Sequence, residues 1–215
     1  QIPRLLIPHE SVFVDREKYY WDSATQACTP VADRVLGWGG LQEQIFCERG
    51  YPQDRFFAVG APKFDGHAEY APVLSRAQFC NIFGLDPDRK IILFASQPLD
   101  SQVEMRAGQQ LQRNAISDLV TVANEIDAQL LLRLPPNKMN ILDDTLQAHL
   151  AKFGGAIDDG AYYSVPPEEA IFHSAAVTSI NSTMLFEALL MNRPSLSLKY
   201  FEFDQSWTQA GIPAV

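Results

Sequence analysis

Residues 177–190, Val-Thr-Ser-Ile-Asn-Ser-Thr-Met-Leu-Phe-Glu-Ala-Leu-Leu, constrain the fold more than any other stretch of the chain. The apolar, β-branched run from Ala175 to Ile180 predicts a buried strand. Asn181, Ser182 and Thr183 follow, three residues that cap helices well. Met184 to Phe186 and Ala188 to Leu190 predict a buried helix, interrupted by Glu187 and stopped by Asn192 and Pro194. Ser195 to Leu198 then reads as the next strand. A strand, a polar turn, a helix and a second strand make one unit of a parallel sheet with the helix N-terminus at the sheet edge. Such an edge is where open α/β sheets bind ligands, and a helix N-terminus suits a phosphate. Glu187 falls about one turn into the helix, within reach of a hydroxyl pair beside that phosphate. The same residues also fit a plain cap and a carboxylate favoured by the helix dipole.

The chain has 215 residues, 47% of them hydrophobic and 20% charged, enough to bury a sizeable core. A net charge of −9 excludes a broad nucleic-acid surface, which needs a basic patch. Cys28, Cys47 and Cys80 are odd in number and lack metal-ligand spacing, which predicts a reduced, cytosolic setting. No apolar run is long enough to span a membrane and no signal peptide is visible. The chain starts at Gln1 and ends at Val215 in a Gly-Ile-Pro segment, which reads as a piece of a longer protein.

Strand and helix patterns alternate along the chain. Strands are expected at Arg4–Ile7, Ala32–Trp38, Arg55–Val59, Lys90–Ala95, Gln129–Leu134 and Tyr162–Val165. Helices are expected at Leu41–Arg49, Ser75–Phe83, Arg106–Ile126, Leu142–Phe153 and Pro166–His173. Asp15–Asp22 reads as a loop or short helix, and Gly37-Trp38-Gly39-Gly40 as a tight turn. In the helix after Arg106 the apolar positions are Leu111, Ile116, Leu119, Val120, Val122, Ala123 and Ile126. The mixture of charge, Gly and Pro near residues 63–72 predicts a linker. The expected domains are 1–65, a linker at 66–74, and 75–215.

Parallel strands would bring Ser96, Gln97, the loop Pro135-Pro136-Asn137-Lys138 and Asn181, Ser182 and Thr183 to one edge, with Arg133 and Lys138 as the cations. Hydroxyls, helix ends and positive charge together suit a diphosphate or phosphodiester, although loops at strand ends are polar in any case. His9 stands next to Glu10 at a predicted strand end; either could act as a base, whereas adjacent residues on a strand face opposite ways. His67 falls in the linker, His149 on a helix face and His173 in packing. Metal-ligand clusters, nucleophile elbows and P-loops are absent from the sequence.

The order of these pieces resembles a known family. Asp33-Arg34-Val35-Leu36-Gly37-Trp38-Gly39, a helix, Arg49-Gly50-Tyr51-Pro52 and residues 57–65, Phe-Ala-Val-Gly-Ala-Pro-Lys-Phe-Asp, resemble the end of the first domain in bacterial GT-B glycosyltransferases of surface-polysaccharide assembly. Capsule, lipopolysaccharide and CDP-glycerol polymerase enzymes share that plan. Lys90–Pro98 and Ala176–Leu190 are similar to the second domain. The resemblance implies the end of one Rossmann-like domain and most of a second, nucleotide-binding one. It implies transfer of a sugar or polyol phosphate from a nucleotide donor to a glycan or lipid-linked acceptor. No cofactor or metal is implied, the nucleotide-sugar being a substrate. Ser182 and Thr183 would hold donor phosphate, Glu187 would hold ribose, and His9 would serve the acceptor at the interdomain cleft. Glu10 replaces the Gly common in the family, and Pro135 the His of a His-Pro pair, which shifts phosphate handling towards Arg133 and Lys138. The implied setting is cytoplasmic, at the inner face of the membrane. Non-hydrolysing UDP-sugar epimerases share the fold and remain an alternative, as does a non-catalytic module of an envelope-assembly protein.

Overall fold

Two parallel sheets organise the chain in the computed structural model, which describes residues 2–9, 31–99, 103–135, 141–159, 163–200 and 211–215. The chain separates into two compact units, 1–66 and 67–215.

The first unit carries β1 (Leu5–Leu6), β2 (Arg34–Gly37) and β3 (Phe56–Ala58), paired in that order and all parallel. Helix α1 (Gly40–Glu48) crosses over between β2 and β3 and buries Ile45 and Phe46 against Val35, Tyr51 and Phe56. Gly50 takes φ +94 where the chain leaves α1, a left-handed conformation that glycine adopts without strain. Gly37 is required for another reason. A Cβ there would lie 1.9 Å from Cζ of Phe56, so the ring occupies the space a side chain would need. The expected loop at Asp15–Asp22 lies outside the described residues.

The second unit opens with α2 (Arg76–Phe83), whose start is fixed by reciprocal bonds between Ser75 and Gln78. Gly84 ends it at φ +67. Then follow β4 (Lys90–Ala95), α3 (Met105–Glu125), β5 (Ala128–Arg133), α4 (Asp144–Lys152), β6 (Ala156–Asp158), α5 (Pro167–Phe172), β7 (Ala176–Ser179), α6 (Met184–Leu190) and β8 (Ser195–Ser197). The five strands are parallel in the order β6-β5-β4-β7-β8. Residues 213–215 add a parallel bridge to β8 through Ser197 and Ala214.

The strand order runs outwards from β4 to β5 and β6 on one side, and to β7 and β8 on the other. The switch point of the sheet therefore lies between β4 and β7. Two apolar layers cover its faces. One includes Phe94, Ile116, Leu130, Leu132 and Leu150; the other includes Phe79, Leu93, Leu131, Ile171 and Val177. Strands buried on both faces read as continuous apolar runs, as Lys90–Ala95 does.

Two expectations are corrected. The strand expected at Tyr162–Val165 is instead β6, at Ala156–Asp158; Gly155 leads into it, with Leu150 packed where its Cβ would lie. In α3, Ile116, Leu119, Val120 and Ala123 are buried, but Val122 and Ile126 face solvent, because the apolar stripe is narrower than the run of apolar residues. Among the described residues, no helix is long and apolar enough to cross a membrane.

Candidate functional site at the sheet switch point

The loops after β4 and β7 flank the crevice where the strand order reverses, the place where open α/β sheets take ligands. They are tied together by side chains. Ser179, the last residue of β7, donates from Oγ to the carbonyl of Ala95 at 2.6 Å. The same oxygen accepts from Ser182 N at 3.1 Å and lies 3.4 Å from Oε1 of Gln97. From beneath, Gln112 of α3 holds the β4 loop: its Oε1 accepts from Ser96 Oγ at 2.6 Å and from Gln97 N at 3.1 Å. Its Nε2 donates back to the Gln97 carbonyl. Ser96 and Gln97 thus stand beside residues 179–182, as the parallel-sheet reading expects.

Asn181, Ser182 and Thr183 are half-buried at the start of α6. Ser182 is the residue that caps the helix, its Oγ accepting from Met184 N at 3.3 Å. Thr183 adopts helical dihedrals and makes no side-chain cap bond. An accepting serine hydroxyl still carries a proton to donate, so Ser182 can cap the helix and meet an anion. Glu187 lies one turn on and is 8% exposed. Its Oε2 is 3.9 Å from Nε2 of His67, and that ring is 4.0 Å from Oε1 of Glu168 on α5.

Arg133 has a different occupation from the one its place in the sequence suggests. It ends β5, is 3% exposed, and donates to Asp158 of β6 and to the carbonyl of Val165. The Tyr163 ring stacks on it at 3.8 Å. Burial pushes the Asp158 carboxyl up even against this neighbouring charge. The guanidinium is thereby neutralised inside the sheet edge, and it joins β5, β6 and the loop before α5. Lys138 and Glu10 lie outside the described residues. His9 is exposed, at the end of β1 in the first unit, where Trp38 Nε1 donates to the Pro8 carbonyl at 2.8 Å. Among the described residues, no group of three or more His, Cys, Asp and Glu side chains is placed to hold a metal.

A cavity of about 520 Å³ opens at the opposite edge of the same sheet, lined by Arg76, Arg89, Lys90 and Arg193 among others. Two of its cations are engaged, whereas Arg193 lies over the Phe172 ring with its Nε buried and making no hydrogen bond. Arg76 donates to the carbonyls of Pro87, Arg89 and His173, and Arg89 to Asp127 and the Ala128 carbonyl. The bonds of Arg76 and Arg89 tie strand beginnings together.

Three residues escaped the sequence reading. Gln112 was legible, because it shares the helical stripe of Ile116, Leu119 and Ala123, and a polar residue at a core position must find partners. Ser179 and His67 carry no such local signal.

No family model and no curated protein matches the chain. Solved structures do. A UDP-GlcNAc 2-epimerase from Neisseria meningitidis bound to UDP-GlcNAc aligns with a TM-score of 0.63 at 14% identity, over 86% of this chain and 49% of that one. A Staphylococcus aureus MnaA–UDP co-structure gives 0.61 at 13% identity, over 86% and 47%. The wall teichoic acid polymerase TagF gives 0.51 at 17% identity, over 79% and 40%. The chain therefore spans about half the length of the structures it matches. At these identities the likeness shows the fold: an α/β, Rossmann-like architecture of GT-B type.

Proposed function

We propose that this chain supplies the nucleotide-binding part of a GT-B enzyme that moves a sugar or polyol phosphate from a nucleotide-activated donor to a cell-envelope glycan or lipid-linked acceptor. One observation supports the reading: Ser179, Ser182 and the Gln97 loop meet at the β4/β7 switch point, and Glu187 follows one turn into α6. The donor diphosphate would meet residues 181–183, with Gln97 at its flank, and Glu187 would accept from the ribose hydroxyls. Ser96 acts from beneath by holding the β4 loop. Lys138 is the cation offered for the leaving phosphate, in place of the neutralised Arg133. His9 or Glu10 would take the proton of the acceptor hydroxyl. The enzyme would work in the cytoplasm, at the inner face of the membrane.

A second reading, a non-hydrolysing UDP-sugar epimerase, is favoured by the higher TM-scores of the epimerase structures. Incubation of the full-length parent protein with UDP-GlcNAc alone separates the two. Epimer formed without acceptor supports the second reading. An intact donor that is consumed only when a glycan acceptor is added supports the first.

A further inference from the structure

The edge of the second sheet opposite the crevice carries the starts of β4, β7 and β8. Lys90 opens β4, and Arg193 stands two residues before β8. β7 lies between those strands, so roughly 10 Å of sheet, two strand spacings, separates the two cations at the backbone. Both side chains line the cavity of about 520 Å³, with Leu74, Pro87 and Phe172 among its apolar walls. Arg76 and Arg89 line it too, but their donors are taken by backbone carbonyls and Asp127. Arg76 covers the His173 carbonyl, so the partial negative charge at the C-terminus of α5 is already answered.

Arg193 is different. Its guanidinium lies 4.9 Å from the centroid of the Phe172 ring, and its Nε is buried without a hydrogen bond. Lys90 is exposed and, like Arg193, makes no ion pair among the described residues. A chain of net charge −9 thus lines one cavity with four cations and a single carboxylate, the exposed Asp88. A cation just past α6 also complements that helix's dipole, but this role needs neither the aromatic platform nor a buried Nε. A buried N–H without an acceptor costs free energy that an anionic ligand recovers.

We infer that this cavity binds the phosphate group of a phosphate ester, held between the Arg193 guanidinium and the Lys90 ammonium, with the organic part against Leu74 and Pro87. A phosphate presents oxygens in several directions, so cations reaching from two strands can share it; the guanidinium offers a planar fork and the ammonium a point charge. Phe172 holds the plane of the fork and restricts it before the ligand arrives. The six residues of β4, about 20 Å of strand, separate this site from the β4/β7 crevice. The inference therefore stands apart from the nucleotide reading.

The side-chain Nε–H resonance of Arg193 and the amide resonance of Ser174, on the cavity wall, report the site in the full chain. The probes are glycerol 3-phosphate, inorganic phosphate and phosphatidylglycerol vesicles, with chloride and phosphatidylcholine vesicles as controls at fixed ionic strength. Glycerol 3-phosphate should move both resonances saturably at millimolar concentration, inorganic phosphate more weakly, and chloride not at all. Lys90→Gln should weaken the binding about three- to tenfold, the scale of one exposed charge-assisted contact. Arg193→Met, which keeps an apolar contact with Phe172, should abolish the movement of Ser174. Ser182→Ala, at the other edge of the sheet, should leave it unchanged. A response to the soluble probes identifies a soluble phosphate ester. A response confined to phosphatidylglycerol vesicles, read as co-flotation that Arg193→Met removes, identifies a lipid headgroup with the same chemistry. No response to any probe, a response that the controls reproduce, or an affinity unchanged in Arg193→Met overturns the inference. Should Arg193→Met fail to fold, the exposed substitution Lys90→Gln decides, and an affinity unchanged there contradicts the shared phosphate.

Discussion

Glu169 and Glu187 sit on two short helices, α5 and α6, that pack on each other, and both are buried. Their surroundings differ. Glu169 gathers three hydrogen bonds on one oxygen and a histidine on the other. Burial would raise its carboxyl, but the bonds from Val73, Tyr70 and Leu74 outweigh that and hold it below the usual value. Its own charge helps push the Tyr70 hydroxyl well above the ordinary phenol value, behind burial as the first cause. Glu187 faces His67 across a longer gap, beside the loop that ends β7. A carboxylate surrounded by short, fixed donors holds the chain together. Arg133, locked to Asp158, likewise differs from the hydroxyls of Ser182 and Thr183 at the same sheet edge.

Glu169 and Arg133 should therefore dominate stability, and the residues of the β4/β7 crevice ligand binding. Glu169→Ala leaves three donors, Tyr70 Oη and the N–H groups of Val73 and Leu74, without their acceptor, and should cost about 3–5 kcal/mol of unfolding free energy. Arg133→Ala strands the buried Asp158 and belongs in the same range, about 3–5 kcal/mol. Urea denaturation followed by far-UV circular dichroism reads both, and a loss below about 1 kcal/mol in either would mean that burial is not what makes these groups matter. Gly37→Ala is the control in the first unit. The clash with Phe56 should cost about 1–3 kcal/mol there, while nucleotide affinity stays unchanged.

Acid should probe the Glu169 cluster next. Burial lowers the His173 imidazole below its ordinary 6.5, and Glu169 lies below its ordinary 4.5. Both groups therefore bind fewer protons in the folded state than in the unfolded one. The stability they contribute is complete above pH 6.5, falls as pH drops below 6.5 through His173, and falls again below 4.5 through Glu169. Urea midpoints between pH 7.5 and 4 should show this decline, and His173→Gln should flatten its upper part. A midpoint that rises on acidification from pH 7 to 5 would contradict the assignment. The smallest effect belongs to Ser182→Ala, which loses the bond to Met184 N at a cost of about 0.5–1 kcal/mol. It should weaken nucleotide binding by more than its effect on stability implies, and calorimetric titration with UDP checks that.

Much of this was legible in the sequence, and the reasons are local. Lys90–Ala95 reads as a buried strand and Met184–Leu190 as a helix because pattern and stop signals agree. The meeting of Ser96 and Gln97 with residues 181–183 follows from parallel topology alone. What could not be read depends on contacts distant along the chain. The three-residue β6 has no periodicity to announce it, and Tyr163, with its strand-like composition, drew the expectation away. Arg133 looked free because its partner Asp158 is 25 residues away. Glu169 holds Tyr70, Val73 and Leu74 across 95 to 99 residues of chain, a link that no local pattern announces.

The central claim is that the β4/β7 crevice binds a nucleotide with Glu187 on its ribose. Thermal unfolding of the chain against UDP, CDP, CMP, GDP and dTDP tests it most directly, with Glu187→Ala in parallel. A ligand that binds only the folded state raises the melting temperature by mass action. The account predicts a concentration-dependent rise with at least one of the five nucleotides that Glu187→Ala largely removes. No rise with any of them at millimolar concentration, or an equal rise in the variant, would contradict it.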